Sequence, residues 1–151
     1  MQQPIVVIQR LEQSIETVWD ALADISTHVV WMRDAQNIEF VGSQRQGVGT
    51  EFVCQTAIGP LRTADHMRVT EWEPGKRMSV YHSGSVIGEG TFILTTNENG
   101  QSCTLRWEER LKFPWFLGAG IGERIARPLL RAIWVGNLRR LDKYLQGQLQ
   151  P

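Results

Sequence analysis

The chain has no surplus charge of either sign: 16 Lys and Arg balance 16 Asp and Glu. Gripping a phosphate backbone takes an excess of cations, so nucleic acid is not an expected partner. Charged residues break every apolar run well before the roughly 18 residues of a membrane-crossing helix, so no integral membrane segment is expected. Met1-Gln2-Gln3-Pro4 lacks the basic start and apolar run of a secretory signal. Cysteine is scarce. Cys54 and Cys103 lie far apart and outside any CxxC pattern, which favours a reduced, cytoplasmic protein over a disulfide-stapled one.

Familiar catalytic signatures are also missing. His28, His66 and His82 do not have the spacing of metal ligands. There is no Gly-x-Ser-x-Gly elbow, and neither cysteine has a histidine partner in register. The glycine-rich stretch from Gly42 to Thr50 lacks the Lys-Ser/Thr ending that cradles phosphates, so it reads as a turn. No metal and no cofactor are expected.

What is present is a patterned, normally apolar chain of 151 residues, long enough for one domain with a substantial core. We expect residues 1–151 to form a single domain. Ile5 to Leu11 is short and β-branched, as in a strand. Ser14 then offers an N-cap, and Ile15, Val18, Trp19, Leu22 and Ile25 recur at helical spacing. A helix is expected over about 15–25, with Ser26 capping a second short helix through Trp31 and Met32. From Asn37 to Arg110, Gly and Pro punctuate alternating segments. Six strands fit, near 37–42, 49–57, 62–72, 77–83, 87–96 and 102–112. Short connections make them antiparallel hairpins. The end of the chain, about 119–147, is helical. Its first half aligns Ile121, Ile125, Leu129 and Ala132; its second half aligns Trp134, Asn137, Leu138, Leu141 and Leu145 on a rotated face. Pro128 near the change predicts a bend or break.

Hairpin arithmetic tests the strand assignment. A two-residue turn at Pro74-Gly75 sets Val69 opposite Val80 and Met67 opposite His82. A turn from Asn97 to Gly100 sets Leu94 opposite Leu105, Phe92 opposite Trp107 and Gly90 opposite Glu109. Apolar residues meet on one face each time, and a one-residue slip would scatter them. A sheet with one apolar face and a single long helix must pack face to helix, and twist then curls the sheet around it. The expected class is α+β: a seven-stranded curved antiparallel sheet wrapped around a long C-terminal helix, with two short helices after strand 1.

Three segments in this order resemble a known group. They are Ser14-Ile15-Glu16-Thr17-Val18-Trp19-Asp20-Ala21-Leu22-Ala23-Asp24 followed by Trp31, the hairpin Val69-Thr70-Glu71-Trp72-Glu73-Pro74-Gly75-Lys76-Arg77-Met78, and the helix end Leu138-Arg139-Arg140-Leu141-Asp142-Lys143-Tyr144-Leu145. Together they resemble the START-like, Bet v 1-like helix-grip superfamily (SRPBCC), in its polyketide cyclase/dehydrase and lipid-transport branch. The resemblance spans nearly the whole chain and implies the helix-grip fold. It also implies a job: holding lipids, sterols, polyketides or similar molecules, with catalysis in some members.

Strand parity puts Phe52, Cys54, Thr56, Met67, Val69, Met78, Val80, Phe92, Leu94, Leu105 and Trp107 on the concave face. The helix adds Leu129, Ile133, Gly136 and Asn137. Such a wall suits an apolar guest with a few polar anchors. The expected ligand contacts are Trp31, Phe52, Cys54, Met67, Val80, Phe92, Trp107, Leu129, Ile133 and Asn137. Ionisable residues on the inward face need a reason to be there. Asp65, His82 and Glu109 are therefore candidate catalytic residues, with His28 as a further inward group. Asp65 and His82 are diagonal neighbours, within reach of a hydrogen bond that raises imidazole basicity. Glu109 faces Gly90, which leaves room beside its carboxylate. Phe113 to Gly118 is unusually apolar for a connection and reads as a lid or a tucked segment.

Binding or transport of a small hydrophobic molecule ranks first. A cyclase or dehydratase using Asp65, His82 and Glu109 ranks second. Third is docking of a partner or of a second copy, making a homodimer.

Overall fold

The computed structural model describes residues 3–113 and 120–150. Strand β1 (Ile5–Leu11) leads into helix α1 (Ile15–Ala23), a 3-10 turn (Ile25–Thr27) and the single-turn helix α2 (His28–Trp31). Six strands follow: β2 (Ala35–Val41), β3 (Glu51–Ile58), β4 (Leu61–Glu73), β5 (Arg77–Ser83), β6 (Ile87–Thr96) and β7 (Cys103–Lys112). Helix α3 (Ile121–Leu145) completes the order. The seven strands form one curved antiparallel sheet in the order β1-β7-β6-β5-β4-β3-β2. Consecutive strands pair as hairpins, and β1 closes onto β7. Of the apolar connection Phe113–Gly118, residues 114–118 lie outside the described residues.

Local chemistry explains the ends of the elements. Ser14 Oγ accepts the Thr17 N–H at 3.3 Å and caps α1. Ser26 does not cap a second helix; its hydroxyl donates to Asp24 Oδ1, and α1 gives way to the 3-10 turn after Ala23.

The β4–β5 hairpin differs from the expected two-residue turn in an informative way. Glu73 pairs with Arg77, so the loop has three residues, Pro74, Gly75 and Lys76. Lys76 N–H bonds Glu73 O at 2.9 Å, and Gly75 sits at φ +73°. Pro followed by left-handed Gly is the signature of a type II turn. The extra residue is absorbed by a bulge between Val69 and Glu71, which restores Val69 opposite Val80 and Met67 opposite His82. The other expected pairs, Leu94 with Leu105, Phe92 with Trp107 and Gly90 with Glu109, form as read.

Helix α3 runs unbroken through Pro128. It packs against β1, α1 and α2, with Trp134, Asn137, Leu138 and Leu141 buried. The apolar row Ile121, Ile125 and Leu129 aligns as read, and these residues are 73%, 67% and 52% exposed. The buried side chains of the helix all lie in its second half. Gly136 is not explained by close packing, because a Cβ there would meet nothing within 4 Å. Gly136→Ala is therefore expected to stabilise the chain by about 0.5–1 kcal/mol. Thermal or urea unfolding checks this; a loss of stability would show that the position does require glycine.

Two apolar clusters form the interior. The larger joins β1, β6, β7, α1 and the second half of α3 around Leu105, Trp107 and Leu138. The smaller gathers Ile25, Ala35, Phe52, Cys54 and Val69. Half-buried Met32, Trp72 and Val80 touch both. Between them the interior is not filled.

Candidate functional site

A cavity of about 250 Å³ occupies that gap. One wall comes from β3 and β4, another from β5 to β7, and the cover from α2 and α3. Phe52, Cys54, Met67, Val80, Phe92 and Trp107 line it, with Leu129 on the helix side. Thr56 and Met78 join them, while Val69, Leu94 and Leu105 are buried in the core outside the cavity wall. The mouth is where lining residues reach the surface: Leu61 is 47% exposed and Leu129 52%. Phe113 also lines the space.

Three of the expected ligand contacts do not line it. Trp31 is fully buried, its ring packed 5.0 Å from His28 and 6.2 Å from Phe92. Ile133 packs against the larger apolar cluster. Asn137 is 0% exposed and is committed at both ends. Its Oδ1 accepts the Arg33 N–H at 3.0 Å, and its Nδ2 donates to Asp34 Oδ1 at 2.7 Å. Asn137 thus latches α3 to the segment joining α2 to β2.

The inward ionisable groups sort differently from the expectation. Asp65 and His82 are diagonal across β4 and β5 as read, but they do not hydrogen-bond. Asp65 Oδ1 instead accepts the Ser85 N–H at 2.6 Å and that of Val86 at 3.4 Å, and Oδ2 accepts from the Thr63 hydroxyl at 3.0 Å. The carboxylate pins the β5–β6 turn. Gly84 makes room for it, because a Cβ there would overlap Asp65 Oδ1. The partner of His82 is Glu109: Nε2 lies 3.5 Å from Oε2. This is an ion pair longer than a formed hydrogen bond.

Glu109 is 5% exposed. Its Oε1 accepts the Trp107 indole N–H at 2.8 Å. Its Oε2 has no hydrogen-bond partner among the described residues. The room beside Gly90 is where the carboxylate lies, since a Cβ on Gly90 would overlap Glu109 Oε1. The missing side chain on β6 places the acid on β7.

Burial pulls the His82 imidazole down, but the charges of Glu109 and Asp65 outweigh it and hold the pKa above 6.5. His28 goes the other way. Burial lowers it to about 4, against the hydrogen bond that Nε2 donates to Leu22 O at 2.8 Å and the charge of Asp24, which both raise it. The signs follow. The contribution of His82 to stability is complete below pH 6.5 and fades as pH rises through its folded value. The contribution of His28 is complete above pH 6.5 and is lost as pH falls toward about 4. An NMR titration of the imidazole protons should resolve both. Glu109→Gln should drop the His82 midpoint below that of free histidine, because burial then dominates. A His82 midpoint that Glu109→Gln leaves unmoved would dissolve the pair.

Asp34 escaped sequence reasoning. It lines the cavity; burial pushes its carboxyl above the usual range, the Asn137 hydrogen bond pulls it back, and the nearby charge of Glu109 adds to the rise. The strand was read as starting at Asn37, and β2 begins two residues earlier, at Ala35. An aspartate just before a strand looks like a loop residue; only the helix latch makes it interior. Cys54 is a neutral wall group whose thiol burial pushes up. No cluster of His, Cys, Asp and Glu able to hold a metal occurs among the described residues, and none of their helices is long and apolar enough to cross a membrane.

The family described as polyketide cyclase / dehydrase and lipid transport matches residues 8–146. No curated protein sequence is detectably similar to the chain. Many solved structures share its fold. TTHA0849 from Thermus thermophilus superposes with a TM-score of 0.77 at 16% identity, covering 96% of this chain and 98% of that one. The Zhui aromatase/cyclase of a Streptomyces species gives 0.76 at 9% identity, with coverage of 95% and 93%. A conserved protein from Geobacillus kaustophilus gives 0.76 at 16%, with 96% of both chains covered.

Proposed function

The chain belongs to the polyketide cyclase / dehydrase and lipid transport family, and on that premise we propose that it binds or carries a small hydrophobic molecule between its sheet and α3. The carrying observation is the unfilled cavity of about 250 Å³, apolar on most of its wall and open past Leu61 and Leu129. An interior normally closes such a gap, because an unfilled void forfeits dispersion contacts. An apolar hollow of about 150 Å³ is enough for benzene, so this one suits a guest of one to two rings or a short branched chain. The proposal extends to a single ligand-binding domain in the cytoplasm, where the buried free thiols Cys54 and Cys103 stay reduced.

Trp107 and Trp134 line the cavity with ring centroids 5.3 Å apart, so occupancy should change tryptophan fluorescence. Titration with a panel of one- and two-ring aromatics should give saturable changes with micromolar midpoints. No response from any member would count against a carrier, as would native mass spectra that show a bare chain after every addition.

The Glu109–His82 pair favours a second reading, a cyclase or dehydratase with Glu109 as base and His82 as acid. Asp65 drops out of that mechanism because its carboxylate is taken by the β5–β6 turn. Under it, His82→Ala and Glu109→Gln each abolish turnover of a bound polyketone while leaving its binding measurable.

A further inference from the structure

The cavity is electrostatically one-sided. Asp34, Asp65 and Glu109 line it, His82 is the one residue beside them raised toward a positive charge, and neither Lys nor Arg appears among its described lining residues. Asp34 and Asp65 have their donors in Asn137 and in the Ser85 and Val86 amides. Glu109 Oε2 is buried beside Gly90, has the ion-pair contact with His82 Nε2 at 3.5 Å, and accepts no hydrogen bond among the described residues. A buried acceptor without a hydrogen bond is costly, and a hydrogen bond to a charged acceptor is among the stronger ones.

We propose that the guest carries a hydrogen-bond donor, a hydroxyl or an amine, which Glu109 Oε2 accepts, and that the site rejects apolar carboxylates such as fatty acids. The inference rests on the binding reading above and names the class of ligand. Glu109 supplies specificity and the apolar wall supplies affinity. A carboxylate guest would bring a further acid beside Asp34, Asp65 and Glu109, with neither Lys nor Arg among the described lining residues to pair with it, which low-dielectric surroundings penalise strongly.

The test uses three probes of matched shape on the full chain: 1-methylnaphthalene, 1-naphthol and 1-naphthoate, followed by tryptophan fluorescence and calorimetry. 1-Naphthylamine joins as a fourth arm to separate amine from hydroxyl. Naphthol or the amine should bind about tenfold or more tightly than methylnaphthalene, and naphthoate at least about tenfold more weakly. In Glu109→Leu the preference of the donor probes over methylnaphthalene should vanish. The wild-type ranking decides the matter alone if that variant does not fold. Equal binding of methylnaphthalene and both donor probes overturns the inference and leaves the carrier reading intact, as does tighter binding of naphthoate. Silence from all four probes overturns both.

Discussion

Gly90→Ala is expected to cost about 2–4 kcal/mol and to dismantle the acid pair in the cavity wall. The added Cβ would overlap Glu109 Oε1 and crowd Oε2. Strand β6 cannot retreat, because Gly90 is paired on both sides, with Val80 and with Glu109. The carboxylate must leave. It would give up the Trp107 indole at 2.8 Å and the His82 contact at 3.5 Å. Overpacking alone costs about 1–3 kcal/mol, and an unpaired buried donor adds about 1–3. Urea unfolding gives the stability, and the His82 imidazole titration should fall along with it. The cause can be isolated. Adding Glu109→Ala to Gly90→Ala removes the crowded atoms, so the double variant should cost less than the sum of the singles. Additive costs would mean that Gly90 serves something other than Glu109.

Asn137→Leu should be the second large loss, about 2–4 kcal/mol at neutral pH, from two part-buried groups left unpaired and a fully buried amide replaced. One is the Arg33 N–H and the other is Asp34 Oδ1. The pH dependence distinguishes this latch from simple packing. Burial already raises the Asp34 carboxyl, and the Asn137 hydrogen bond opposes the rise. Removing Asn137 raises it further. A carboxyl whose folded pKa lies above its unfolded value favours the folded state below the unfolded pKa, and that advantage is lost as pH rises through the folded value. The deficit of Asn137→Leu should therefore shrink as the solution is acidified through the carboxylate range. A deficit independent of pH would assign the loss to shape alone.

Much of the fold was legible because period-two patterning and turn residues agree. The β6–β7 register needed only parity and the Asn97–Gly100 turn. The β4–β5 register came out right through two compensating features: the turn is one residue longer than read, and the bulge at Thr70 takes up the slack. Sequence parity sees the result and not the bulge. The site was less legible, for reasons that recur. Parity put Asp65, His82 and Glu109 on one face, but it could not choose among partners. Asp65 went to backbone amides of a turn that folds back over it, leaving His82 to Glu109. Helical periodicity made a stripe of Ile121, Ile125 and Leu129, yet a stripe does not say whether anything covers it. Trp31 and Asn137 looked like ligand contacts because large or polar interior residues often are. One is packed on His28 and Phe92, and the other spends both ends of its amide on a latch. Asp34 carried no signal at all without its partner on α3.

The central claim is that the gap between the two apolar clusters takes a guest. Every methionine past the first, Met32, Met67 and Met78, lines that gap. Methyl-resolved NMR of the methionine-labelled chain during titration with 1-naphthol therefore reads the cavity directly. The account predicts saturable shifts of all three internal methyls together, with nuclear Overhauser contacts to the probe and Met1 unmoved. Methyl signals that stay fixed at saturating probe, or that move only outside the cavity, would contradict it.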